Sequence, residues 1–144
     1  MTARFVIVAA GVLAAAAATA CTATAKREAD TLASAVEAYR RTEGPMKPAR
    51  ARAVSEVSCS DARVCDAKAL CVAAVDATTQ ALALKDEVAA RVGDIEHGTL
   101  DRTSPEAQAL PGKLDEAERL LKEGRDKMRA CDEKLAKLRL EVGG

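Results

Sequence analysis

Five cysteines are the residues of this 144-residue chain whose type and spacing offer the most chemistry: Cys21, Cys59, Cys65, Cys71 and Cys131. Cys21 stands in an N-terminal segment that reads as an export signal, which leaves four for pairing or metal binding. The four are spaced by six residues or by sixty, contain no CxxC, and share the chain with one histidine, His97, so they match no zinc or thioredoxin signature. An even set in an exported chain predicts two disulfides. His97, with Asp94, Glu96 and Asp101 near it in sequence, is a weak candidate for a surface metal site. A solvated loop histidine accounts for it better, because a second convergent ligand or base is not visible. Ser104 precedes Pro105 and reads as a helix cap rather than a nucleophile. There is no Gly-rich phosphate loop or nucleophile elbow. We therefore expect no catalytic residues, no metal and no cofactor, and expect the protein not to be an enzyme.

The export reading rests on the first 25 residues, where Arg4 precedes an apolar run from Phe5 to Ala18 and no acid occurs. Two processing routes follow. Ala18, Thr19 and Ala20 before Cys21 resemble a degenerate lipobox, with Ala18 where leucine is usual, and predict lipidation of Cys21. Ala23, Thr24 and Ala25 form an A-x-A site that would release a chain starting at Lys26. A permanent anchor is disfavoured because the apolar run falls short of the roughly 20 residues of a membrane span. Either route removes Cys21 from the pairing problem. The expected location is the periplasm or the outer membrane as a tethered lipoprotein, with the extracellular medium as the alternative.

Beyond residue 25 lie 119 residues with 21 Lys and Arg (22 less Arg4) against 22 acids, a charge of about −1. Such a balance lacks the basic stripe that grips nucleic acid and the polybasic patch that grips a membrane. With Phe5 in the signal, Tyr39 is the single aromatic residue of this region and no stacking platform is available. Contact with a membrane is expected only through a lipid on Cys21.

These residues must be positioned by helices, since Ala, Leu, Glu, Lys and Arg dominate while Gly and Pro fall at joints. The pattern predicts a single all-α domain over 26–144 with helices at about 26–42, 48–57, 60–97 and 104–142. Ala29, Leu32, Ala33, Val36 and Tyr39 share one face of the first. Ser58, Ser60 and Asp61 are N-cap candidates for the third, Gly98 closes it, and Gly93 could break its last turn. In the fourth, Pro111 and Gly112 mark a kink or the true start. There, Leu110, Leu114, Ala117, Leu121, Gly124, Met128, Cys131, Leu135, Leu138 and Val142 alternate in steps of four and three, the spacing of a coiled-coil seam. Asp115 with Arg119, Glu118 with Lys122, Glu123 with Lys127 and Glu133 with Lys137 are spaced for surface ion pairs.

A connecting loop centred near residue 101 sets residue n of the third helix against residue 202 minus n of the fourth. Large residues then meet small ones, Gly124 meets Thr78, and Cys71 meets Cys131. Helix geometry prunes the other pairings. Cys65 and Cys71 would lie about 9 Å apart along one helix and Cys59 and Cys71 about 18 Å apart, beyond the roughly 7 Å that a disulfide spans. Cys59–Cys65 and Cys71–Cys131 remain. The expected architecture is an antiparallel, coiled-coil-like helical hairpin with a shorter N-terminal helix, three-helix-bundle-like and stapled by disulfides. The short first helix leaves apolar surface over, which points to an unknown envelope protein or a second copy as partner. A periplasmic module holding a metal ion or a small ligand between helices is the alternative.

Overall fold

The structure, a computed structural model, describes residues 12–143, with side chains from residue 22 onward. Among the described residues it is all helical, with no strand and with two disulfides. Helix α1 spans Val12–Arg41, and a 3-10 turn at Gly44–Met46 leads into α2, Lys47–Ser55. Helix α3 spans Ala62–Glu96, α4 is a single turn at Pro105–Gln108, and α5 spans Leu110–Gly143.

Local chemistry accounts for most of these limits. Of the three cap candidates, Asp61 caps α3, its carboxylate accepting from the Arg63 backbone N–H at 2.8 Å. At the other end Gly98 has φ of 75°, and Gly98 N–H and Thr99 N–H donate to the carbonyls of Ile95 and Asp94. Reaching back over the last turn in this way requires a left-handed residue, which glycine adopts without a Cβ clash. Gly93 does not break α3, which runs on to Glu96. Ser104 caps α4 by accepting from Ala107 N–H at 3.2 Å. Pro111 marks the true start of α5: a proline inside a helix would clash with the carbonyl four residues back, so the helix is interrupted at Ala109 and starts afresh at Leu110.

One boundary differs greatly from the sequence expectation. The first helix is already formed at Val12, where the described residues start, rather than starting near Lys26, because Val12–Ala25 is almost wholly alanine and other small residues with no breaker before Lys26. Among the residues whose side chains are described, the first buried position is Ala25, followed by Ala29, Leu32, Val36 and Tyr39. Arg4 and Phe5 lie outside the described residues.

Helices α3 and α5 share the most extensive contact in the fold and run in opposite directions. Cys71 is bonded to Cys131, Gly124 lies against Thr78, Lys113 pairs with Glu87, and Arg91 pairs with Glu106 of α4 at 2.9 Å. Helix α1 lies antiparallel to α5, with Arg40 on Asp132 and Asp30 on Arg139, while Tyr39 and Glu28 reach Val75 and Ser60 on the α3 side. Helix α2 turns back between α1 and α3 and buries Ala51 and Val54.

The core is therefore unevenly distributed. The larger cluster joins Leu32, Val36, Val54, Val64, Val75 and Leu138 around the buried Cys71–Cys131 bridge, at the end of the α3–α5 pair covered by α1 and α2. A small cluster of Ala77, Ala81 and Leu120, flanked by Leu84 and Leu121, holds the far end. From Ala25 to Tyr39, α1 offers about 21 Å of packed length against about 51 Å for α3. The α5 seam departs from strict alternation at this far end: Leu114 is 40% exposed, Leu121 is half-buried, and Leu120 is buried in its place.

Gly124 shows why the seam is so tight. A Cβ there would lie against the Thr78 side chain, 3.2 Å from the Thr78 backbone nitrogen and 3.4 Å from the Ala74 carbonyl oxygen. Gly93, equally helical, has nothing within 4 Å of the same position. Gly93→Ala should stabilise the protein by up to about 1 kcal/mol through helix propensity. Gly124→Ala should lose about 1 kcal/mol, since overpacking of about 1–3 kcal/mol outweighs the same gain. Opposite shifts of the urea midpoint would show this, and matching shifts would refute the close contact. Cys71→Ala with Cys131→Ala should cost about 4 kcal/mol in the same assay, as expected for a bridge closing a 60-residue loop.

Candidate functional site

Four of the cysteines come together in two places. Cys71 and Cys131 sit at the centre of the larger core, both fully buried, with Cα atoms 4.9 Å apart. Cys59 and Cys65 are bonded across the start of α3, with Cα atoms 5.2 Å apart and both side chains half-buried. Cys59 can reach Cys65 because it lies outside the helix, in the connector ahead of Asp61. Cys21 lies on α1, but its side chain is outside the described part of the structure.

The connector between α2 and α3 is held by a contact that sequence reading missed. Glu28 on α1 accepts from Ser60 N–H at 2.9 and 3.0 Å and from Ser60 Oγ at 2.8 Å. Ser60, considered as a helix cap, thus bonds across to another helix, and Asp61 takes the cap. The Ser60 backbone donor holds the Glu28 carboxyl below its ordinary value, and the Arg63 side chain holds Asp61 down at about 2. Nothing local marks Glu28 in the sequence, since its partner is 32 residues away.

A second unanticipated contact closes the other end of α1. Tyr39 is buried and donates its hydroxyl hydrogen to the Val75 carbonyl at 3.2 Å, with Thr79 Oγ1 also at 3.2 Å. Burial pushes the phenol above its usual value and favours its neutral form. Lys47 lies 4.5 Å from the centre of the Tyr39 ring and donates to the last carbonyls of α1, Thr42 at 3.0 Å and Tyr39 at 3.4 Å. It thereby places a cation at the negative end of the helix.

His97, Asp94 and Asp101 are occupied by local bonds. His97 is exposed, and its Nδ1 donates to the Gly93 carbonyl at 2.6 Å. Asp94 pairs with Arg91, and Asp101 accepts from Thr103 N–H and Oγ1. No cluster of three or more metal-ligating side chains occurs among the described residues. Of the ion pairs expected on α5, Glu123–Lys127 forms. Arg119 turns to Glu116 and Glu123 rather than Asp115, Lys122 to Asp126 rather than Glu118, and Lys137 to Glu141 rather than Glu133. Spacing alone did not decide these, because each exposed cation has acids within reach on both sides.

Where α1 stops, the far half of the α3–α5 pair is open. Val92 and Leu114 are 42% and 40% exposed there, and Met46 in the 3-10 turn is 58% exposed. A cleft of about 200 Å³ lies between that turn and α3, lined by Pro45, Pro48, Leu82 and Asp86. By length and hydropathy α3 is apolar enough to cross a membrane, and Val64, Cys71, Val75 and Val88 on it are buried within the fold.

Because its folded pKa lies below the unfolded value, the Glu28 carboxylate adds stability that is complete above about pH 4.3 and is lost as pH falls through the lowered folded value. Glu28→Ala should cost about 1 kcal/mol at pH 7. The gap between variant and parent in urea denaturation should close as pH is lowered below 4; a gap independent of pH would rule the clamp out. Compared with protein-family models, with curated proteins and with solved structures, the chain matches none.

Proposed function

We propose that the protein is an exported envelope component whose coiled-coil-like helical hairpin, α3 with α5, is a non-catalytic structural or protein-interaction module, tethered to a membrane by acylation of Cys21. One observation carries the interaction reading. The α1–α2 cover ends near Tyr39 and Val75, and beyond it the hairpin presents Val92 and Leu114 to solvent. Exposed apolar side chains such as these, on the uncovered part of a long two-helix unit, suit contact with another helical surface, whether an envelope protein or a second copy. Two disulfides in a small chain are compatible with an oxidising, exported setting.

The packing of α1 supports the route through Cys21. Ala25 is fully buried in the core. Cleavage after Ala25 would discard that residue and begin the chain within a packed helix. Cleavage before Cys21 keeps it and leaves Cys21 about 6 Å along the axis from the first core position, so a lipid there would hold the bundle end close to the bilayer. The far half of the hairpin would then point away from the membrane.

Intact mass of the protein purified from the envelope of an exporting bacterium tests the tether: the expected species begins at acylated Cys21, and one beginning at Lys26 would refute it. Light scattering with size-exclusion chromatography, on protein starting at Thr22, tests the surface. Self-association should weaken when Val92 and Leu114 are changed to serine. A monomer at every concentration would remove the second copy and leave a heterologous envelope protein as the partner.

A further inference from the structure

The two disulfides occupy opposite environments, and this difference has a chemical consequence. Cys71–Cys131 is fully buried in the main core, where an external thiol reaches sulfur only if α3 and α5 separate. Cys59–Cys65 is half-buried, with Ser58, Ser60, Ala62 and Arg63 around it exposed. Its loss would not orphan its surroundings. The Cys65 sulfur lies 3.3 Å from the Cys59 carbonyl oxygen, so a reduced Cys65 thiol has an acceptor already in place. Two other interactions also continue to hold the connector and the helix start, the Glu28–Ser60 bonds and the Asp61 cap.

We propose that Cys59–Cys65 is an exchangeable redox site, opened and closed by a dithiol partner while Cys71–Cys131 keeps the α3–α5 pair clamped. A thiolate of the dithiol attacks one sulfur of the bridge. The S–S bond breaks, its electron pair leaves on the other cysteine sulfur, and a mixed disulfide forms. The second thiol of the dithiol then displaces the first cysteine. The bridge gains two electrons and two protons and becomes the Cys59 and Cys65 thiols, and the dithiol becomes a disulfide. What changes is local: the connector between α2 and α3 loses its covalent tie to the first turn of α3 and is held by the Glu28–Ser60 bonds, the Asp61 cap and the buried Val57. The proposal rests on the exported setting only for the source of the dithiol, and the test reads the purified chain itself.

The protein starting at Thr22 is incubated with dithiothreitol in native buffer, quenched with iodoacetamide at intervals and mapped by peptide mass. Alkylation should appear at Cys59 and Cys65 at least about a hundredfold faster than at Cys71 and Cys131, with helical circular dichroism unchanged, since the buried bridge waits for a larger opening. Hydrogen exchange should rise in residues 57–61 of the partly reduced protein and stay constant over the α3–α5 seam. Both bridges opening together, or Cys59–Cys65 staying linked until guanidinium is added, would overturn the proposal. The variant Cys59→Ser with Cys65→Ser provides a second check. It should fold with unchanged helix content and keep a slowly reduced Cys71–Cys131; failure to fold, or rapid reduction, would make the half-buried bridge a structural one and overturn the proposal as well.

Discussion

The bond between Cys71 and Cys131 is the constraint around which the rest of the fold is arranged. Helices α3 and α5 approach closely because Ala67, Ala74, Ala81, Ala117 and Gly124 are buried along their contact. Small side chains permit that approach but bury little apolar area each, and the only aromatic residue among the described residues is Tyr39. A covalent link that restricts the unfolded chain offsets this deficit without needing volume. It also fixes the register. A slip by one helical turn would separate Cys71 from Cys131 and set a Cβ against the Thr78 side chain where Gly124 now leaves room.

Once that pair is clamped, the remaining elements have limited freedom. Helix α1 lies along one end of it, held by Leu32 and Val36 in the core and by Arg40–Asp132 and Asp30–Arg139 at the rim. Exposed pairs of this kind add little energy, and their value is in orientation. Tyr39 and Lys47 end α1 against the middle of α3, and Glu28, midway along α1, ties it to the connector. The molecule is consequently covered at one end and open at the other. Its bridges are likewise unequal, one enclosed by the core and one beside a solvent-facing connector. The proposed interaction surface and the proposed exchangeable bridge both come from this asymmetry.

Helix type and limits were largely legible in the residues, because they depend on local chemistry: Asp61 before α3, Gly98 after it, Ser104 with Pro105, and Pro111 at the start of α5. The pairing of the cysteines was legible as well, because rigid helix geometry removes the alternatives. The helical run ahead of Lys26 was not legible in the residues. A small-residue run that resembles a cleavable segment is also a good helix former, and Ala25, taken as the last residue of that segment, is a core residue of the fold.

By itself, then, the sequence determined an all-helical chain, its cysteine connectivity and the seam that joins α3 to α5, since propensity, periodicity and rise per residue act over a few turns and need no knowledge of the rest. Only the tertiary structure decided that Glu28 would hold Ser60, that Lys47 would close α1 over Tyr39, that Leu120 would be buried while Leu114 stayed exposed, and where the cover by α1 would end. Each of these depends on the angle and offset at which one helix crosses another. Those are set by the sum of many small contacts between residues distant in sequence, and no local pattern records them.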